Sequence, residues 1–287
     1  MKKNVLITGT SGGFGKLTAL TLLKNGFNVA ATMRNAITKN KEVAEELTSA
    51  GAKVIELDVT SDDSVTDGIK NAFEQLGEID VVVNNAGVGV AGMQEHFTID
   101  DFKKLFDVNL FGVQRINKAV LPNMRKKGEG LIIYVSSLLG RFTLPFYGPY
   151  NASKWALEAL AENYRMELSQ FGIENAIVEP GGYPTSFFNS LITPSDLSQV
   201  ESYGEFMKVP QQMGEAFGKA LEANPDQNPQ DVADKILSII SSPKGERNFR
   251  NPVDKMGMGT PFGEYNNHLE EIMKTTLSNF GLSAMLK

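Results

Sequence analysis

A chain of 287 residues, 41% of them apolar, is long enough to bury a full core, and its formal net charge of −6 argues against a nucleic-acid or anionic-membrane surface, since both call for basic patches. With no cysteine, disulfides, thiolate nucleophiles and cysteine-bound zinc are excluded; the two histidines, His96 and His268, stand in no ligand spacing, and no metal site is expected. The first apolar run, Val5-Leu6-Ile7, is too short for a signal-peptide core, and no stretch approaches the roughly 18 apolar residues of a membrane span, so the expectation is a cytoplasmic protein.

In chain order, short Val- and Ile-rich runs at 4–8, 28–33, 53–57, 79–84, 130–136, 174–179 and 247–252 alternate with amphipathic segments. The latter lie at 13–25, 41–50, 61–76, 99–127 with a break near Asn109, 150–171 and 229–241. This alternation predicts an α/β fold: one doubly wound domain over 1–287, with about seven parallel strands and helices on both faces. Two regions depart from the rhythm. The stretch from Gly181 to Pro229 is long for a connection of this kind, which predicts a lid over about 183–228. In the tail at about 264–282, Leu269, Ile272, Met273, Thr276, Leu277 and Phe280 fall on a helical stripe, to be packed on the chain itself or on a partner subunit.

Directly after the first run comes Thr8-Gly9-Thr10-Ser11-Gly12-Gly13-Phe14-Gly15, leading into a helix. Glycines let the backbone turn sharply and approach a pyrophosphate, while the helix N-terminus offers free N–H groups and a positive dipole end, so a dinucleotide is expected here. The second run ends Thr32-Met33-Arg34-Asn35. An acid at this point would meet a ribose 2′-OH; Arg34 suits a 2′-phosphate instead, which favours NADP(H), the alternative being an ordinary exposed loop arginine.

Further along, Tyr147-Gly148-Pro149-Tyr150-Asn151-Ala152-Ser153-Lys154 places Lys154 four residues after Tyr150 and seven after Tyr147. On a helix the first spacing stacks phenol and ammonium on one face. Pro149 is acceptable as the first helical residue, which sets Tyr150 in the first turn. An ammonium nearby should lower a phenol pKa from about 10 towards the range useful for proton transfer.

Taken together, these motifs resemble the short-chain dehydrogenase/reductase family, in its shorter branch marked T-G-x-x-x-G-x-G, over about residues 3–185 and more loosely to 253. The resemblance implies a Rossmann fold and hydride transfer between a nicotinamide and a carbonyl or alcohol. It assigns Gly9, Ser11, Gly12, Gly13, Phe14, Gly15 and Arg34 to the dinucleotide, and Asp58-Val59 to the adenine, unless Asp58 caps the helix beginning near Ser61. Asn84-Asn85-Ala86-Gly87 matches the N-N-A-G that lines the adenine-ribose side, and Pro180-Gly181-Gly182-Tyr183-Pro184-Thr185 matches the P-G-x-x-x-T whose threonine holds the carboxamide. Asn109 fits the asparagine that holds a proton-passing water, and Tyr150 the general acid/base, with Lys154 also binding the nicotinamide ribose. Of the pair Ser136-Ser137, the second stands thirteen residues before Tyr150, close to the family's spacing, and is the expected catalytic serine.

Tyr183, Phe187, Phe188, Leu191, Ile192, Tyr203, Phe206, Met207, Met213 and Phe217 of the lid suggest an apolar, bulky substrate, or else pack the lid on its own domain. Within the family, the run from Glu179 to Phe188 looks most like the subgroup holding 17β-hydroxysteroid and retinol dehydrogenases. A homo-oligomer, dimer or tetramer, is expected. Two other classes stay open: a dinucleotide-binding regulator without turnover, and an epimerase or dehydratase using the same Tyr/Lys pair.

Overall fold

Val, Ile and Ala dominate the interior strand runs because both faces of those strands are covered. The computed structural model describes residues 2–286. In chain order its elements are β1 (Asn4–Thr8), α1 (Gly13–Lys24), β2 (Asn28–Met33), α2 (Lys41–Ser49), β3 (Lys53–Glu56), α3 (Asp62–Leu76), β4 (Val81–Asn84), α4 (Ile99–Phe106), α5 (Gly112–Lys127) and β5 (Gly130–Val135). There follow α6 (Gly148–Leu168), β6 (Ile173–Pro180), α7 (Val200–Tyr203), α8 (Val209–Glu222), α9 (Gln230–Ser241), β7 (Arg250–Val253) and α10 (Gly259–Asn279). The seven strands make one sheet of order β3-β2-β1-β4-β5-β6-β7, every neighbouring pair parallel.

Residues along a strand alternate between two cores. On β1, Val5 and Ile7 join Ala19 and Leu22 of α1 and Val232 and Ile236 of α9. Leu6 turns to the other face, with Ile69 of α3, Ile116 of α5 and Leu157 of α6. The strand order reverses between β1 and β4, and at such a switch point the C-terminal strand ends open a crevice.

β1 and β2 coincide with the predicted runs, and the other ends move by a few residues. The predicted break near Asn109 is a π turn over Asp107–Phe111, which divides α4 from α5. Between β6 and α9 the chain is secured by Asp101, whose carboxylate accepts from Ser195 N at 3.1 Å and Ser195 Oγ at 2.7 Å, and by a bridge between Val90 and Ile192.

The tail departs from expectation. α10 starts at Gly259, and the predicted stripe is shallow, with Ile272 50% and Phe280 73% exposed. The helix is held through its first twelve residues instead. Phe262 packs on Phe142 with ring centroids 5.5 Å apart, and the Glu270 carboxylate accepts both terminal nitrogens of Arg165 at 2.6 and 2.8 Å. Polar pairing to its own domain positions this helix, which helical periodicity cannot reveal.

Candidate active site

Gly12 is the N-cap of α1 and brings no side chain to its N–H groups, and no acid stands in the first turn. The helix end therefore offers donors and positive potential to an anion. Gly9 has φ +71°, and a Cβ there would lie 2.8 Å from Ala86 Cα, so only glycine lets the turn touch the loop after β4. That loop is tied to the turn: Thr8 Oγ1 accepts from Asn85 N and Ala86 N, each at 3.0 Å, and Asn85 Nδ2 donates to Thr8 O at 2.9 Å and Gly9 O at 3.0 Å.

A cavity of about 940 Å³ starts at this turn and runs along the C-terminal strand ends. Gly9, Ser11, Gly12, Gly13, Phe14, Arg34, Asp58, Val59, Asn85, Ala86, Gly87, Ser137, Tyr150, Lys154, Pro180, Gly181 and Thr185 all line it. Gly15 and Asn109 do not. Gly15 was expected to touch the dinucleotide, but it serves packing: a Cβ there would lie 2.4 Å from Asn85 Nδ2 and from Gly9 O. The cradle fits a dinucleotide pyrophosphate, because bare backbone, uncapped N–H groups and side-chain-free glycines face the space.

At the Arg34 end of the cavity, the Glu56 carboxylate accepts from Asn35 N at 2.6 Å and Ala36 N at 2.7 Å, and Asn40 Nδ2 donates to Arg34 O at 2.6 Å. The loop that presents Arg34 is thereby organised. Lys39, which no motif marks, lines the same end. Asp58 does not cap α3; Ser61 does, accepting from Ser64 N at 3.2 Å. Asp58 instead accepts from Thr60 N and Oγ1 at 2.9 and 2.8 Å and stands 3.6 Å from Arg34 Nη1. Burial raises the Asp58 carboxyl, but the Thr60 hydrogen bonds and the Arg34 charge outweigh it and hold the group below the usual range.

At the other end, α6 begins at Gly148, so Pro149 is its second residue and Tyr150 its third. A Cβ at Gly148 would lie 2.2 Å from Gln94 Oε1, so a side chain at this start would have to displace the end of Gln94. Ser137, Tyr150 and Lys154 are all buried at the cavity wall. Lys154 Nζ donates to Val135 O at 2.9 Å and lies 5.7 Å from the Tyr150 ring centroid.

The expected lowering of the phenol by the ammonium is not what the protein produces. Burial pushes the Tyr150 phenol up to about 12, with the neighbouring Ser137 hydroxyl opposing the rise and Tyr147 adding to it. Burial likewise pushes Lys154 down to about 8, against the support of Glu158. Desolvation of both groups outweighs their proximity, and the ammonium spends a hydrogen bond on Val135 O.

Asn109 is 1% exposed, and its side chain is taken up by hydrogen bonds within the protein. Its Oδ1 accepts from Val88 N at 2.9 Å; its Nδ2 donates to Val88 O at 2.9 Å and Ser153 Oγ at 3.0 Å, and Ser153 Oγ donates to Tyr150 O at 2.8 Å. Asn109 therefore ties the loop after β4 to the first turn of α6. A Cβ placed on Gly87 would lie 3.5 Å from Asn109 Oδ1 and 3.7 Å from Lys154 Nζ, so the two side chains approach behind that glycine.

Apolar groups close the far end: Phe142, Leu144, Tyr147, Phe187, Phe188, Met213 and Phe217. Of the expected lid residues, Tyr203 packs on His96 instead and Phe206 on Phe146. Glycines make room for the aromatics that do reach the site, since a Cβ on Gly182 would lie 2.2 Å from Phe217 Cζ and one on Gly89 would lie 2.5 Å from Phe187 Cζ. Sequence reasoning missed Asp254, Met256 and Met258, which line the cavity just after β7. It also missed Gln227, which joins that loop to the one after β6 by donating to Gly182 O at 2.9 Å and Asp254 Oδ1 at 3.1 Å. No local pattern marks these residues; only their meeting does.

Comparison with known proteins agrees with this geometry. The chain is 35% identical over 268 residues to the oxidoreductase YusZ of Bacillus subtilis, covering 88% of this chain and 90% of that protein. It is 36% identical over 248 residues to human retinol dehydrogenase 8, covering 84% and 78%. A solved short-chain dehydrogenase from Streptomyces avermitilis superimposes with TM-score 0.77 at 27% identity over 98% of each chain. Solved neighbours carry either dinucleotide. An alcohol dehydrogenase from Thermococcus sibiricus is complexed with 5-hydroxy-NADP (TM-score 0.70, 26% identity, 88% and 96% covered), and a short chain dehydrogenase/reductase from Burkholderia phymatum with NAD (0.73, 24%, 88% and 88%). The short chain dehydrogenase family itself matches residues 3–195, which take in the glycine turn, the loop after β4 and the Ser137, Tyr150 and Lys154 wall. With its sheet order, its cavity and its sequence in agreement, this chain belongs to the short-chain dehydrogenase family of oxidoreductases.

Proposed function

We propose that the protein is an NADP(H)-dependent oxidoreductase that interconverts a carbonyl and an alcohol on a bulky apolar substrate, with Tyr150 as general acid/base. The observation that carries this reading is a single cavity along which an uncapped helix end, Arg34 and Lys39, the Ser137, Tyr150 and Lys154 wall and an aromatic chamber all lie. When bound, the nicotinamide supplies or accepts the hydride. The chain's own groups do the rest. The N–H groups of α1 and the glycine turn hold the pyrophosphate, with Asn85, Ala86 and Gly87 along the ribose and Pro180, Gly181 and Thr185 beside the nicotinamide. Ser137 and Tyr150 hydroxyls hold the substrate oxygen, and Tyr150 gives that oxygen a proton in reduction. A phenol pushed up to about 12 keeps its proton at neutral pH, which suits the reductive direction. Lys154 orients the ribose, and Asn109 holds the wall that Lys154 and Tyr150 share.

Support for NADP(H) over NAD(H) is the absence of an acid at the end of β2 together with Arg34 and Lys39 at that end of the cavity. The phenylalanines and methionines of the far chamber favour an apolar substrate, and the relationship to a retinol dehydrogenase points the same way. The reading includes a homo-oligomer, dimer or tetramer, supported by exposed Phe111 and Trp155 on adjoining helical segments, and action in the cytoplasm, where nicotinamide dinucleotides are co-substrates. Light scattering reports the first. The test of the activity is NADPH oxidation against aldehydes and ketones graded in size, run in parallel with NADH. Turnover that prefers small polar carbonyls, or NADH, overturns the respective part of the reading.

A further inference from the structure

The interior behind Lys154 holds more acid than the proposed chemistry uses. Glu158, one helical turn beyond Lys154 on α6, is 2% exposed, and Glu179, next to the end of β6, is fully buried. Both face one guanidinium. Arg250 of β7 sends Nε to Glu158 Oε2 at 3.1 Å and stands 3.9 Å from Glu179 Oε1, while its Nη1 lies 3.3 Å from Glu162 Oε1. An arginine Nε carries one hydrogen, so it satisfies one of the two buried carboxyls and not both.

The other contacts leave a deficit. Glu179 Oε2 accepts from Asn266 Nδ2 of α10 at 2.8 Å, and Asn266 Oδ1 takes Arg141 Nε at 3.1 Å. Glu158 Oε1, Glu179 Oε1, Arg250 Nη2 and the Ser136 hydroxyl have no partner in hydrogen-bond geometry among the described residues, although the Ser136 hydroxyl is near enough to Glu158 to lower its carboxyl against the rise from burial. A Cβ on Gly140 would lie 2.9 Å from Ser136 Oγ, 3.0 Å from Glu158 Cγ and 3.2 Å from Lys154 O, so serine and glutamate are neighbours, and Ser136 also lines the cavity. Two ionised carboxylates here would repel each other in a dry interior while sharing Arg250 Nε, whereas one added proton relieves that repulsion and supplies a donor between them.

We propose that Glu158 and Glu179 hold one proton between them in the folded protein, and that the pair acts through Glu158 as a positioning element that sets the charge of Lys154. Burial raises both carboxyls, Glu179 to about 8, with the charge of Glu158 adding to that rise and Arg250 and Arg141 opposing it. The charged or titratable groups around the pair are Lys154 and Glu162 of α6, Arg250 of β7, Arg141, and on α10 Tyr265 and Glu270, the last paired with Arg165. The stored proton stands independently of the reaction; only its effect on turnover rests on the role given to Lys154 above.

Infrared spectroscopy of the full chain in D2O at neutral pH tests the store directly. The wild type should show a protonated-carboxyl C=O band, and Glu158→Gln and Glu179→Gln should each remove it, because the remaining carboxylate then no longer shares Arg250 Nε with a second buried carboxyl. Denaturant unfolding gives a second readout. The folded state keeps a proton that an unfolded glutamate releases above about pH 4.3, so stability should fall by a one-proton slope from about pH 5 to about pH 8, and the slope should flatten in either variant. For Lys154, Glu158→Gln removes the adjacent anion and should move the alkaline limb of the pH–rate profile to lower pH, while Glu179→Gln leaves Glu158 ionised and should move it up. No carboxylic C=O band in the wild type, or one that survives both substitutions, overturns the store. Shifts of the limb in the same direction overturn the coupling to Lys154. A protein with the band but no turnover keeps the store and discards the oxidoreductase reading.

Discussion

Replacing Arg34 by alanine separates the cofactor reading from a generic loop arginine. In the protein the guanidinium side chain is 57% exposed and stands 3.6 Å from Asp58 Oδ2. A charge-assisted hydrogen bond to phosphate contributes about 1.5–3 kcal/mol, and exposure places this one near the lower end. Removing the arginine also leaves the Asp58 carboxylate facing the 2′-phosphate without a counter-charge, which adds repulsion of about 0.5 kcal/mol across partly solvated space. Together these give about 2 kcal/mol, or roughly a thirty-fold rise in KM for NADPH. NADH carries no 2′-phosphate, so its KM should stay level or fall. Steady-state kinetics with both cofactors at fixed carbonyl, at low and high salt, measures this, and the NADPH penalty should shrink as salt screens the charge. An equal effect on both cofactors, or none on either, refutes the assignment of Arg34 to the phosphate.

Tyr150→Phe should lower kcat by about 10²–10⁴-fold while leaving NADPH binding, followed by nicotinamide fluorescence, unchanged; normal turnover would falsify the acid/base role. Lys154→Met should raise the melting temperature near pH 7 while abolishing turnover. The folded lysine is pushed down to about 8 from 10.5, so the ammonium is penalised below that value and stability rises with pH between about 8 and 10.5. The shift corresponds to about 3 kcal/mol, offset by about 1 kcal/mol for the lost bond to Val135 O, and melts at pH 7 and pH 10 should show the stabilisation largely disappear at the higher pH. Gly182→Ala inserts a Cβ 2.2 Å from Phe217 Cζ, the far end of a side chain that can swing. The fold should survive, with KM changed for bulky apolar carbonyls and little altered for small ones; a loss of folding measured by circular dichroism would place Gly182 in the core instead.

Much of the architecture is legible locally. β1 and β2 read correctly because strands covered on both faces carry unbroken Val, Ile and Ala, and the turn after β1 reads correctly because Gly9 needs φ +71° against Ala86. The break at Asn109 is visible as a lapse in periodicity, but that its amide ties Val88 to Ser153 is not. Gly15 belongs to the same glycine run as Gly9, yet it faces Asn85 rather than the cavity, a distinction that depends on a loop seventy residues away in sequence.

Spacing within the chain thus determined where strands, glycine turn and the Tyr150, Lys154 face would lie, because those features depend on residues a few positions apart and on backbone sterics. Tertiary structure alone decided the rest: Asp254, Met256 and Met258 as cavity wall, the direction of the Tyr150 and Lys154 pKa values, and the crowding of Glu158, Glu179 and Arg250. Desolvation and charge pairing depend on what surrounds a group in space, and those surroundings are assembled from segments that the sequence keeps far apart.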